Sequence, residues 1–305
     1  MTLELRDRVR GVMLGLACGD AVGTTVEFMP RGTFEPLTDM VGGGPFGLEP
    51  GQWTDDTSMA LCLAASLCEL GRFDVEDQMR RYVAWYRDGY MSSTGRCFDI
   101  GNATRVALMK FVSTGEALAG SRDPYSAGNG CLMRFAPVAI YSLNKSPQAR
   151  LELASKSAET THAAVECTVA TQMFSEVLHR ALRGESKQEV LSFQGDVYVN
   201  MGDRLEAIHR GDWQAKSRDE VQGSGYVVQA LEASLWCIHH TDNYRDAVLM
   251  AANLGDDADT TAAICGQIAG AMYGASSIPE AWRARVYGRA ELEGYADQLL
   301  ELASS

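Results

Sequence analysis

A chain of 305 residues with 46% hydrophobic and 22% charged side chains is long enough to bury a sizeable core and polar enough to stay in water. Its formal charge of −13, with no block of Lys or Arg, argues against a nucleic-acid surface, because phosphate contact needs clustered cations. No apolar run approaches the roughly 20 residues of a membrane span.

Eight prolines are few for this length, and Ala, Leu, Met and Glu recur with apolar positions at i, i+3, i+4 and i+7. Period-two alternation is missing, so the expected fold is all-α, a single multi-helix domain over residues 1–305. The first predicted helix spans 3–18, with Leu5, Val9, Val12, Met13 and Leu16 on one face. Gly11, Gly15 and Gly19 follow each other at four-residue spacing, a rhythm that lets another backbone come close. The stretch from Val12 to Cys18 has the size of a signal core ending in a lipidation cysteine. Acidic residues precede it, Gly15 stands where Leu is usual and Asp20 follows, so that reading is set aside.

Residues 42–47, Gly-Gly-Gly-Pro-Phe-Gly, cannot be regular structure and lead through Pro50 and Gly51 into Thr54, Asp55, Asp56 and Thr57, which open a helix over 57–70. Further helices are expected over 75–88, 102–114, 130–142, 147–183 with a break near Thr160, 225–240, 243–253, 258–273 and 280–301. Cysteines at 18, 62, 68, 97, 131, 167, 237 and 265 form no CxxC pair and sit mostly inside apolar patterns. They read as reduced core residues of a cytoplasmic protein.

Leu254-Gly255 ends one helix, and Asp256, Asp257, Asp259, Thr260 and Thr261 begin the next. This second acidic cluster repeats the first. Close carboxylates repel, and desolvating each costs several kcal/mol unless something neutralises it. An N-cap would use one aspartate of the first cluster; three aspartates in four positions of the second exceed what capping needs. If the fold joins the clusters, they supply an all-oxygen shell suited to magnesium, manganese or calcium. Such ions would also let an acidic protein hold an anionic diphosphate.

Beyond the acidic clusters, the chain carries Gly19-Asp20-Ala21-Val22-Gly23 with Glu27-Phe28, Phe98-Asp99-Ile100-Gly101-Asn102, Ser126-Ala127-Gly128-Asn129-Gly130 with Met133-Arg134, Thr161-His162, and Gly223-Ser224-Gly225-Tyr226. In this order, over roughly residues 9–275, they resemble the ADP-ribosylglycohydrolase family, in particular its bacterial dinitrogenase reductase-activating glycohydrolases and their relatives. The resemblance implies a compact all-α fold with two divalent cations, Mg2+ or Mn2+, in a cleft for ADP-ribose. By motif match the metal ligands would be Thr54, Asp55, Asp56, Asp257, Asp259 and Thr260. Asp99 and Glu27 match acidic residues that handle protons in parts of the family. The family usually has glycine where this chain has Asp256, which is expected to cap the helix.

Asn102, Ser126, Gly128, Asn129, Gly130, Met133, His162 and Tyr226 are the implied substrate contacts. A Gly-Asn-Gly turn ahead of a helix offers backbone N–H groups to a diphosphate. Tyr226 is placed to stack on adenine. His162 is expected to begin a helix with Glu166 one turn later, a metal half-site spacing; no third soft ligand lies near, so zinc is rejected and His162 reads as a hydrogen-bond donor facing the ligand. His239 and His240 read as a surface pair, and Asp20 as a cap or brace for the Gly-rich turn beside Glu27.

The implied reaction is metal-dependent hydrolysis of the N-glycosidic bond of ADP-ribosylated arginine on protein, giving ADP-ribose as product from a monomeric enzyme. The alternatives are another ADP-ribosyl linkage (serine, nucleobase or small metabolite), or a non-catalytic ADP-ribose-binding or toxin-neutralising relative.

Overall fold

The computed structural model describes residues 3–304 apart from 194 and 197. Its helices, in chain order, are α1 (Leu3–Gly23), α2 (Asp55–Leu70), α3 (Val75–Asp88), α4 (Asn102–Thr114), α5 (Gly130–Met133), α6 (Ala136–Tyr141), α7 (Pro147–Glu159) and α8 (Val165–Arg183). They continue with α9 (Lys187–Val190), α10 (Gly202–Arg210), α11 (Val227–His239), α12 (Tyr244–Ala252), α13 (Ala258–Tyr273), α14 (Glu280–Arg285) and α15 (Arg289–Ser304). No strand forms among the described residues, only isolated bridges such as Gly128 with Tyr226. The fold is all-α.

The expected helix over 130–142 is two short ones, and 280–301 likewise divides into α14 and α15. The break near Thr160 is real, a five-residue link between α7 and α8. Helices α9 and α10 were not expected. Their signals are local: a capping box of Ser186 and Glu189 opens α9, and only Leu205 and Ile208 of α10 are buried.

Helix α1 is the central rod, buried on every side from Gly11 to Val22. Its glycine rhythm is answered by α13. A Cβ at Gly11 would stand 2.2 Å from the Gly270 carbonyl oxygen, and one at Gly15 would stand 2.2 Å from that of Gly266. Backbone therefore lies on backbone, and the crossing brings the end of α1 against the start of α13. One contiguous apolar core runs from Val9 to Leu300 around this pair, and all eight cysteines are free thiols, six of them buried. No described helix is long and apolar enough to cross a membrane. The loop before α2 is pinned to the C-terminal helices, where Trp53 Nε1 donates to the Tyr287 carbonyl at 3.0 Å. That fixes where α2 begins.

Candidate metal centre and active-site cleft

The two acidic clusters meet. Thr54 Oγ1, just ahead of α2, lies 3.0 Å from Asp56 Oδ2 and 3.3 Å from Asp259 Oδ2 of α13. Carboxylate oxygens of Asp20, Asp56 and Asp259 lie within 4.8 Å of one another, and so do those of Glu27, Asp257 and Asp259. Asp259 belongs to both groups.

The clusters do not cap their own helices. Neither Thr54 nor Asp257, the N-cap residues of α2 and α13, makes a side-chain cap hydrogen bond. The caps come from the α1 end instead. Asp20 accepts from Thr54 N and Thr54 Oγ1 on one oxygen, both at 2.9 Å, and from Thr57 N at 3.1 Å and Thr57 Oγ1 at 2.6 Å on the other. Glu27 Oε2 accepts from the backbone N–H of Ala258 at 2.7 Å and of Asp259 at 3.2 Å. The first donors at both helix starts are thus satisfied from outside, while Asp259 Oδ1 accepts from Thr260 N at 2.6 Å within α13 itself.

This corrects two expectations. The Gly-Asp-Ala-Val-Gly stretch is helix rather than turn, and Asp20 braces α2 rather than the Glu27 segment. Asp256 is not a cap either: it has φ +60°, its N–H donates to Met29 O at 2.9 Å, and its carbonyl accepts from Phe28 N at 2.8 Å. Its side chain is exposed at the cleft.

None of the ion pairs among the described residues reaches Asp20, Glu27, Asp55, Asp56, Asp99, Asp257 or Asp259. Burial pushes the carboxyls of Asp20 and Asp99 up to about 6. It pushes Asp257 up to about 7 and Asp259 up to about 8, each helped by a neighbouring aspartate. Asp55, Asp56 and Glu27 are also raised, first by burial and then by nearby carboxylates. Asp56 Oδ1 is buried without any hydrogen-bond partner. A group of buried carboxylates with no cationic side chain and an orphaned oxygen fits a hard cation held by oxygen.

Above this floor opens a cavity of about 560 Å³, lined by Glu27, Asp55, Asp99, Asn102, Gly128, Asn129, Gly130, Met133, His162, Asp257, Asp259 and Thr260 among others. Thr54 and Asp56 are fully buried and are not part of its lining. Ser126 and Tyr226 line instead an adjoining cavity of about 940 Å³, which shares Asn102 and Gly128 with the first. Asp99 sits on the wall with φ +58°, and Asn129 Nδ2 donates to Asp257 Oδ2 at 2.7 Å.

The Gly-Asn-Gly turn differs from expectation. Gly128 N already donates to Ser126 O at 2.8 Å, and Asn129 N to Gly225 O at 3.0 Å. What the glycines provide is room: a Cβ at Gly130 would stand 2.6 Å from His162 Cε1. His162 lies in the link before α8 rather than at a helix start, with Nδ1 2.7 Å from Thr161 Oγ1. Burial and the neighbouring Arg134 push its imidazole down to about 3, so it is neutral. Glu166 is engaged elsewhere, accepting from the Tyr226 hydroxyl at 2.6 Å, while the Arg204 guanidinium lies 5.2 Å over the Tyr226 ring. Adenine stacking on Tyr226 would therefore share its ring with Arg204, a residue that no sequence signal marked. Arg134, quoted only as part of a motif, is fully buried and ties Thr161 Oγ1, at 2.7 Å, to Gly130 O, at 2.5 Å.

The ADP-ribosylglycohydrolase family model matches residues 1–305. The chain belongs to the ADP-ribosylglycohydrolase family. It is 44% identical over 300 residues to ADP-ribosylarginine hydrolase Tri1 of Serratia proteamaculans, covering 98% of this chain and 81% of that one. To Tri1 of Pseudomonas putida it is 46% identical over 297 residues, 97% of this chain and 79% of the other. The ADP-ribosyl-[dinitrogen reductase] glycohydrolase of Rhodospirillum rubrum is 33% identical over 309 residues, 98% of each. A solved ADP-ribosylglycohydrolase-related protein complex contains a chain that superposes with a TM-score of 0.87 at 41% identity, covering 99% of this chain and 100% of that one.

Proposed function

We propose that this family member is an ADP-ribosylarginine hydrolase: it cleaves the N-glycosidic bond between ribose and the guanidinium of a modified arginine on protein and releases ADP-ribose. The observation that carries the reading is the pair of helix-start carboxylate clusters, capped by Asp20 and Glu27 and joined at Asp259 beneath a ligand-sized cavity. Relatives named for this reaction at 44% and 46% identity support the linkage. The unit we assign to the activity is one domain, acting as a monomer in the cytoplasm. Its free cysteines and single-chain site support this.

Thr54, Asp55, Asp56, Asp257, Asp259 and Thr260 would hold two divalent cations, Mg2+ or Mn2+. Bound there, such ions supply positive charge that holds the ribose hydroxyls and acidifies water. The residues do the rest. Cleavage develops oxocarbenium character at the anomeric carbon, water adds there, and the C–N electron pair leaves with the guanidine nitrogen, which must gain a proton. Asp99 is the residue we assign to that proton transfer, because it lies on the cavity wall and burial brings its carboxyl up to about 6, near working pH. One oxygen of Glu27 is committed to the α13 backbone, which favours a positioning role. Asn102, Gly128, Asn129, Gly130, Met133 and His162 would form the ADP-ribose wall, with Ser126 and Tyr226 beyond it.

The test is release of ADP-ribose from arginine-, serine- and nucleobase-linked substrates with Mg2+ or Mn2+, by wild type and Asp99→Asn. The expected outcome is turnover of the arginine linkage, with kcat lowered about 10²-fold or more in the variant. No release from any arginine-linked substrate refutes the proposal.

A further inference from the structure

The positioning carboxylate and the one assigned to proton transfer each have a phenylalanine neighbour, Glu27-Phe28 and Phe98-Asp99. The rings form a ladder. Phe28 meets Phe46 edge-on with centroids 6.1 Å apart, and Phe46 meets Phe98 at 5.2 Å. None of the three belongs to the apolar core, and Phe28 is 64% exposed on the lining of the cleft. Phe28 also has φ +65°, a conformation that a bulky L residue avoids. Two backbone hydrogen bonds with the Asp256 segment hold it there. Core packing does not explain a strained backbone that displays an apolar ring to solvent. Such an outlier points to function.

The ring shares the lining of this cavity with Asp55, Asp99, Asp256 and Asp257. Aromatic faces beside carboxylates suit a planar, delocalised cation better than a compact, strongly hydrated one. We propose that Phe28, backed by Phe46 and Phe98, forms the guanidinium subsite, which stacks the arginine side chain carrying the ADP-ribose, with Phe28 as the specificity-determining contact. This rests on the arginine linkage proposed above and locates where the leaving side chain lies.

The experiment measures binding of agmatine, a soluble guanidinium, and of ADP-ribose to the Mn2+-loaded protein by calorimetry, together with KM for ADP-ribosylarginine. Phe28→Gly removes the ring and relieves the backbone, so the fold is kept; Phe28→Trp retains an aromatic face. In Phe28→Gly, agmatine affinity should fall about fivefold and KM rise by a similar factor, while ADP-ribose affinity changes less than twofold. Phe28→Trp should restore both. The subsite is refuted if wild type does not bind agmatine, if Phe28→Gly binds it as wild type does, or if ADP-ribose affinity falls in parallel. Failure of the linkage reading shows separately, as no turnover of arginine-linked substrate by the wild type.

Discussion

The starts of α2 and α13 solve one problem in two ways. At α2 the capping carboxylate, Asp20, comes from inside the central helix, is fully buried and has both oxygens saturated by Thr54 and Thr57. At α13 the cap is Glu27, beyond the end of α1, and its neighbours Phe28 and Asp256 are exposed residues with positive φ. One end is a floor set by packing, the other an edge held by a strained loop contact. The contrast separates residues whose loss should damage the fold from those whose loss should damage the chemistry.

Asp259 joins the two ends, so its substitution should have the largest effect. Asp259→Asn should lower kcat/KM about 10³-fold or more, read as ADP-ribose release. In chelator the same variant should melt higher than wild type at pH 8, because one member of a buried like-charge group is gone. A variant that loses activity and also melts lower would mean that Asp259 is structural.

The two caps should then separate. Asp20→Asn leaves one acceptor oxygen where two serve four donors, which costs about 2 kcal/mol and lowers Tm by roughly 3 °C. Glu27→Gln keeps an acceptor for the α13 backbone, so Tm should move by less than half of that while activity falls at least about tenfold. Calorimetry with a parallel activity assay decides. Equal Tm losses would erase the distinction between floor and edge.

A smaller effect follows from titration. Asp20, Asp99, Asp257 and Asp259 lie at about 6, 6, 7 and 8 when folded, against an ordinary 3.8. Between pH 4 and 8 the folded protein thus binds more protons than the unfolded chain, and these groups lose stability as pH rises through that window. His162, pushed down to about 3 from 6.5, acts oppositely, losing stability as pH falls below 6.5. Four carboxylates outweigh one imidazole, so Tm in chelator should drop from pH 5 to pH 8. Mg2+ or Mn2+ should reduce or reverse the drop. A flat profile in chelator would mean that these carboxyls are not raised.

Periodicity made most of the fold legible, because α1, α2, α8 and α13 are long and strongly apolar. The glycine rhythm of α1 also announced a close crossing. Pairing of the two acidic clusters was inferable from their excess of carboxylates. The source of the caps was not. Asp20 and Glu27 reach helices that begin at residues 55 and 258, and no local pattern encodes such contacts. The Gly-Asn-Gly turn misled for a related reason: its glycines answer His162, which approaches from another element. Arg204 and the phenylalanine ladder stayed hidden because their meaning lies in what they face.

The smallest expected effect concerns the edge itself. Asp256 has φ +60°, where glycine is at ease and aspartate is only tolerated, and its backbone rather than its side chain holds the Phe28 segment. Asp256→Gly should therefore stabilise the protein by about 0.5 kcal/mol, a Tm gain of roughly 1 °C, with relief of strain outweighing the added freedom of the unfolded chain. ADP-ribose release should stay within twofold of wild type. A large loss of activity instead would show that the Asp256 carboxylate adds charge the cleft needs, and the edge at α13 would then be chemical as well as mechanical.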